Sequence, residues 1–297
     1  MSEIITEYLN ENTKDIDIIS TVDMVRKMNE EDKLVALAVE SEVEHIAEAI
    51  DIIANKLSNG GRLIYFGCGT SGRLGILDAS ECPPTFSTEP SMVQGIIAGG
   101  EKAFTTAVEG AEDNFEQGKE DAKILTKDDV CVVISASGNP KYLLGVLETA
   151  NEIGVKTIAV TCNNNAKIGE EVTVCICAEV GAEVIAGSSR LKAGTAQKMI
   201  LNMLSTGSMI KIGKTYKNFM IDLKATNDKL KDRAIRIVSQ IAETTNACAL
   251  EALLESNWDI KTSVASIVMN LSIEDAKKEL KKYSGVLRKL LKSGEKV

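Results

Sequence analysis

The chain has 297 residues, 44% of them hydrophobic and 26% charged, with a net charge of −9. Those values suit one large or two small globular domains, and the acidic excess argues against a nucleic-acid partner, which rewards a dense basic face. No basic arm, basic amphipathic stretch or apolar run of bilayer length points to a membrane.

In chain order, the opening MSEIITEYLNENTKDID is acidic and polar. It lacks the basic start and apolar run of a signal peptide, so a cytoplasmic location is expected. Apolar residues then recur at three- and four-residue spacing (Val35, Val39, Val43, Ile46, Ile50, Ile53), which predicts a helix from about Thr21 to Leu57, stopped by the turn Ser58 to Gly61. RLIYFG reads as a short strand entering the glycine-rich loop Gly67-Cys68-Gly69-Thr70-Ser71-Gly72, and GRLGILDAS as the helix that follows. Glu81 comes next, before Cys82-Pro83-Pro84, expected to form a rigid turn.

MVQGIIAGG predicts a second strand, and EKAFTTAVEGAEDNFEQGKEDAK a charged helix with Glu109, Glu112 and Asp113 on one face. Such a charge run is usually a solvated face. DDVCVVISASG repeats the first pattern, an apolar strand ending in the turn Ser135-Ala136-Ser137-Gly138. NPKYLLGVLETANEIG is a helix with Pro140 near its first turn, and VKTIAVTCN and EVTVCICA are further strands. Apolar strands alternating with helices predict an α/β fold with a doubly wound parallel sheet covered on both faces. After Arg190 the pattern turns wholly helical, with a bundle from about Asn227 whose core Trp258 is expected to anchor.

Of the seven cysteines none forms a C-x-x-C pair, so neither a disulfide framework nor a zinc site is expected, and Cys175 and Cys177 read as small buried hydrophobes. The single histidine, His45, argues against a Ser-His-Asp triad and a histidine metal centre, leaving acid–base work to carboxylates, Lys, Tyr or Cys. The two loops that leave a strand and enter a helix suit phosphate, because glycine allows close approach and the helix start offers unpaired N–H groups. In GSSRLKAGTAQK, Ser188 and Ser189 are placed to cap the next helix. Arg190, Lys192 and Lys198 cluster at that helix start against the dipole, a conflict a bound anion would relieve.

Together GRLIYFGCGTSGRLGILDASECPPTF, IAGGEKAFTTAVEGAED, ISASGNPKY, EVIAGSSRLKAGTAQKMILNMLSTG and KNFMIDLKATNDKL resemble the N-acetylmuramic acid 6-phosphate etherase family over nearly the whole chain. The resemblance implies a sugar-isomerase (SIS), flavodoxin-like domain over residues 55–218, an N-terminal helical segment over 1–54, and a C-terminal helical domain over 219–297 similar to ubiquitin-associated bundles. It implies cleavage of the lactyl ether of N-acetylmuramic acid 6-phosphate to N-acetylglucosamine 6-phosphate and D-lactate, by a homodimer needing no metal or organic cofactor.

Carried over by position, Glu81 matches the acid that protonates lactate and Glu112 the base at C2. Gly69, Thr70, Ser71, Ser135 and Ser137 are then expected at the phosphate. Glu179, Glu183, Ser188, Ser189 and Lys192 are expected to line the sugar side. Asn139-Pro140-Lys141 stands where many members have Arg-Thr-Pro. The competing readings are an SIS aldose–ketose isomerase, with no need for DASECPP, and a sugar-phosphate-sensing regulator like the glucokinase regulatory protein, which carries two SIS modules.

Overall fold

The computed structural model describes residues 5–294. The chain divides into two compact units, Met1–Ser80 with Pro90–Ser208, and Glu81–Glu89 with Met209–Val297.

In the first unit, α1 (Thr21–Glu40) and α2 (Val43–Ser58) lead to β1 (Leu63–Gly67), α3 (Gly69–Phe86), β2 (Val93–Ile97), α4 (Lys102–Thr105) and α5 (Phe115–Ala122). β3 (Val130–Ile134), α6 (Lys141–Ile153), β4 (Lys156–Thr161), β5 (Val174–Cys177) and α7 (Lys192–Lys211) complete it, α3 and α7 each running on into the second unit. The five strands are parallel in the order β2-β1-β3-β4-β5. All five residues of β1 and of β3 are buried, as expected of central strands covered on both faces. Ile64 and Phe66 point into the core beneath α6, with Cys131, Val133, Tyr142, Leu143 and Val146. Tyr65 points the other way, its hydroxyl donating to Asp78 of α3 at 2.9 Å. Asn202 and Ser205 of α7 donate to the other Asp78 oxygen at 2.8 and 3.1 Å, so one buried carboxylate joins β1, α3 and α7.

The helix expected from Thr21 to Leu57 is two helices. The break at Ser41–Glu42 lets Glu42 turn its carboxylate to the amide of Cys177 on β5 (3.1 Å) and to His45 (2.8 Å). Cys175 and Cys177, expected to be small buried hydrophobes, share one face of the edge strand and are only half-buried there. Cys82-Pro83-Pro84 is not a turn; it lies inside α3. Proline's fixed φ suits a helix, and the chain forgoes one ladder bond at each ring.

The second unit begins with the Glu81–Glu89 stretch and resumes with the hairpin β6 (Thr215–Tyr216) and β7 (Phe219–Met220), strands that correct the all-helical expectation. Helices α8 (Asp228–Ile241), α9 (Asn246–Glu255), α10 (Ile260–Met269), α11 (Ile273–Lys282) and α12 (Leu287–Gly294) follow. Asn227, Thr245, Asp259 and Ser272 each cap the next helix by accepting a first-turn N–H. The core of this bundle is Ile237, Val238, Leu253, Val264, Leu280 and their neighbours. Trp258 does not anchor it: at positive φ it packs on the margin, with Lys231 5.5 Å over its ring. Asp222 ties the unit together, its carboxylate meeting Lys214 at 3.0 Å and Lys261 at 2.8 Å, while its carbonyl accepts from Ser87. Among the described residues no helix is long and apolar enough to cross a membrane.

Candidate active site

In the order β2-β1-β3-β4-β5 the chain reverses direction of growth between β1 and β3. Ligands of open parallel sheets bind outside the carboxyl ends of the strands at such a point. Gly67 at the end of β1 pairs with Ile134 at the end of β3, so the two Ser-Gly loops leave the sheet side by side.

The first loop turns at once into α3. A Cβ on Gly67 would stand 2.5 Å from the Gly72 nitrogen, and one on Gly72 2.7 Å from the Gly67 carbonyl oxygen, so only glycine at both places permits so tight a strand-to-helix turn. The first-turn N–H groups of α3, at Gly69, Thr70 and Ser71, have no intrahelical acceptor. Ser71 is buried and donates its hydroxyl to Gln197 Oε1 at 2.9 Å. In the second loop Ser135 Oγ accepts the Gly138 N–H at 3.0 Å and lies 3.5 Å from Ser137 Oγ. Asn139 and Asn163 both donate to the Ser137 carbonyl, which fixes this loop around Pro140, the N-cap of α6. Lys141 lies 4.0 Å from Asp113.

A cavity of about 290 Å³ opens beside the first loop, lined by Cys68, Gly69, Arg73, Glu109, Gly110 and Glu112 among others. Glu109, Glu112 and Asp113 do not share a helix face. Gly110 has φ of 73°, and this left-handed residue separates Glu109 from the single turn Ala111–Asp113 that carries Glu112. Arg73 donates through Nε to Phe104 and through Nη2 to Ala103, both at 2.9 Å, pinning the carbonyl end of α4 just before this break. Burial first, then the nearby charges of Glu112 and Asp113, push the Cys68 thiol up to about 12. Cys68 is therefore a neutral wall of the cavity and no nucleophile. Glu112 is exposed and so open to a ligand. Glu81 is exposed in the first residues of the second unit.

The residues expected on the sugar side divide. Glu183 is fully buried and accepts the Lys192 and Ala193 amides at 2.9 and 3.0 Å. This carboxylate, and neither the Ser188 nor the Ser189 hydroxyl, takes the first two amides of α7, while the Ser189 carbonyl accepts the Gly194 N–H at 2.9 Å; burial still holds Glu183 above the ordinary carboxylate range. Lys192 is also buried, its ammonium 2.7 Å from Glu31. Burial pushes Glu31 up, but Lys192, Asn12 and Asn10 outweigh it and hold the carboxyl below its usual range. The positive charge of Lys192 is thus already matched, and no anion is needed to relieve it. Arg190 and Lys198 are exposed, as is Glu179. Ser188 and Ser189 are half-buried in the turn before α7, and Gly194 of its first turn lies against Thr70. Gln197 and Arg73 went unmarked in the sequence because nothing about a lone Gln or Arg in a helix announces a partner. Among the described residues no group of three or more His, Cys, Asp or Glu side chains is arranged to hold a metal ion.

Three family models match parts of the chain: the glucokinase regulatory protein N-terminal SIS domain over residues 45–151, the SIS domain over 105–207, and the C-terminal lid domain of glucokinase regulatory protein over 217–281. The chain is 48% identical over 297 residues to the N-acetylmuramic acid 6-phosphate etherase of Vibrio atlanticus, covering 99% of this chain and 97% of the relative. It is 50% identical over 294 residues to that of Caldanaerobacter subterraneus subsp. tengcongensis, covering 98% and 96%. A phosphoheptose isomerase from Francisella tularensis shares the fold at 21% identity and a TM-score of 0.50, over 65% of this chain and 100% of that one.

Proposed function

The chain belongs to the N-acetylmuramic acid 6-phosphate etherase family, and from that premise we propose how its own residues cleave the lactyl ether of the substrate. The observation that carries the proposal is the cavity that Glu112 shares with Gly69, at the carboxyl end of β1 and beside the first turn of α3. A phosphate at that turn, received by the Thr70 and Ser71 amides and by the hydroxyls of Ser71, Ser135 and Ser137, fixes one end of the sugar. Glu112 then faces the other end.

An ether at C3 is a poor leaving group, and binding phosphate does nothing to expel it. Opening the ring exposes the C1 aldehyde and makes the C2 proton acidic. Glu112 takes that proton. Glu81, protonated, gives its own to the ether oxygen as the C3–O bond breaks and D-lactate leaves. The unsaturated aldehyde adds water at C3 and regains a proton at C2, giving N-acetylglucosamine 6-phosphate, the product recovered in cell-wall amino-sugar recycling. One ionised and one protonated carboxylate suffice for both halves.

The sugar side is assigned to Ser188 and Ser189 at the α7 turn and to Glu179; Glu183 and Lys192 act beneath them as supports. The protein is proposed to work as a homodimer in the cytoplasm. Supporting the dimer, Ile18, Val22, Val25, Leu34 and Leu37 are all exposed on and just before α1. Light scattering should give twice the chain mass of 31.9 kDa.

The decisive experiment is lactate release from N-acetylmuramic acid 6-phosphate in water enriched in heavy oxygen. D-lactate with label at C3 of the sugar is expected. The family models named for the glucokinase regulatory protein favour a second reading, a sugar-phosphate sensor. Binding of the phosphosugar by folded protein with no lactate released would replace the lyase by that sensor.

A further inference from the structure

Two side-chain polar atoms among the described residues are buried with no hydrogen-bond partner, and one of them, Gln197 Nε2, stands beside the proposed phosphate site. Gln197 is 1% exposed. Its Oε1 accepts the Ser71 hydroxyl at 2.9 Å, so in the free protein the proton that Ser71 would give to a phosphate is spent on Gln197. A buried amide donor without an acceptor is rare and costly. Gln197 thus carries a donor with nothing to bond and, through its other end, holds the Ser71 hydroxyl proton back from the helix end where an anion would sit.

Half a turn of the amide about its last bond exchanges its two ends. Nε2 then donates to Ser71 Oγ, and the Ser71 proton is released toward the first turn of α3. We propose that Gln197 is a positioning residue for substrate phosphate: its amide reverses when phosphate arrives, and Ser71 changes from a donor to Gln197 into a donor to the phosphate. This rests on Ser71 being a phosphate contact, as proposed above. No bond is made or broken beyond hydrogen bonds, and Gln197 itself does not touch the ligand. The start of α7 is no rival site, because Glu183 already occupies its Lys192 and Ala193 amides.

The test is titration calorimetry with N-acetylglucosamine 6-phosphate, and with N-acetylglucosamine as the control lacking phosphate. Gln197→Met keeps the volume and removes both polar atoms. Gln197→Glu keeps the shape but only accepts when ionised, so it holds the Ser71 proton and places a negative charge near the phosphate. Weakening of about threefold to tenfold is expected for the Met variant and more for the Glu variant, with binding of the unphosphorylated sugar unchanged. In a Ser71→Ala background, Gln197→Met should add nothing, because it acts through Ser71. Losses that add fully, that strike both sugars equally, or that do not occur in either variant would overturn the role of Gln197. Wild-type protein that releases lactate but whose phosphosugar affinity ignores Ser71→Ala would also overturn it while leaving the lyase intact. Wild-type protein that neither binds phosphosugar nor releases lactate would remove both.

Discussion

Glu112 and Glu81 make no ion pair among the described residues, and both are exposed, which leaves each carboxyl group open to a ligand. Changing either to Gln should lower turnover by roughly 10² to 10⁴ while phosphosugar affinity stays within a few-fold, since a general acid or base acts in the transition state. Stopped lactate assays beside calorimetry would check this; a matching loss of affinity would make them binding groups. Asp129 makes a different kind of prediction. It is buried at the foot of β3 and receives Arg62 Nη2 at 2.6 Å, Arg62 Nε at 3.0 Å and the Thr126 amide at 2.8 Å. Burial pushes its carboxyl up, but Arg62 and Thr126 outweigh it and hold it below the ordinary range. The unfolded chain therefore binds this proton more readily than the folded one. The stabilisation is complete above the unfolded value of about 3.9 and is lost as pH falls through the lower folded value. Asp129→Asn should be less stable by about 1–3 kcal/mol at neutral pH, and its deficit should shrink in acid. Melting temperature against pH for the two proteins gives the comparison, and a deficit that does not change with pH would sink the argument.

Elements were legible in the sequence where burial forced an unbroken apolar run. LIYFG, VCVVI and TIAVT are buried throughout, short unbroken runs of the kind that central strands covered on both faces use. The helix breaks were not legible, because each is decided by a partner far away in sequence. Nothing local at Ser41–Glu42 announces that Glu42 will reach Cys177, and nothing at Cys82-Pro83-Pro84 announces that two prolines will continue a helix. The site shows the same division. Its loops could be read from glycine and serine placement, whereas Glu183 as the cap of α7 and Glu31 as the partner of Lys192 depend on tertiary approach. Gly110 is the element-scale test. A side chain there meets no atom within 4 Å, so only its φ of 73° resists substitution. Gly110→Ala should cost about 1–2 kcal/mol of backbone strain or shift the Ala111–Asp113 turn. Turnover should therefore fall well beyond affinity, with the melting temperature lowered by only a few degrees. Unchanged turnover would show that the turn bearing Glu112 need not be held.

At the scale of the whole molecule, the chain visits the second unit twice. It crosses over at Glu81, returns at Pro90, and goes back for good at Met209. Asp222 is where the two visits meet, through Ser87 on one side and Lys214 and Lys261 on the other. Asp222→Asn removes the anion between two cations that are largely shielded from solvent, and a loss of about 1–3 kcal/mol is expected. The loss should appear first in the amides of the second unit, read by hydrogen exchange, with the parallel sheet still protected. Simultaneous loss of protection in both units would instead mark one cooperative body.

The early visit has a consequence for how the protein comes into being. The ribosome delivers Glu81 long before it delivers Met209, yet the residues that surround the Glu81–Glu89 stretch lie in the last third of the chain. A nascent chain that has emerged only as far as Ser208 already holds every strand of the five-stranded sheet, with both serine loops and Glu112. The Glu81–Glu89 stretch waits for its neighbours until translation nears its end. The parallel sheet can thus assemble while the chain is still being made, whereas the second unit gathers its early and late segments only once the last helices have emerged.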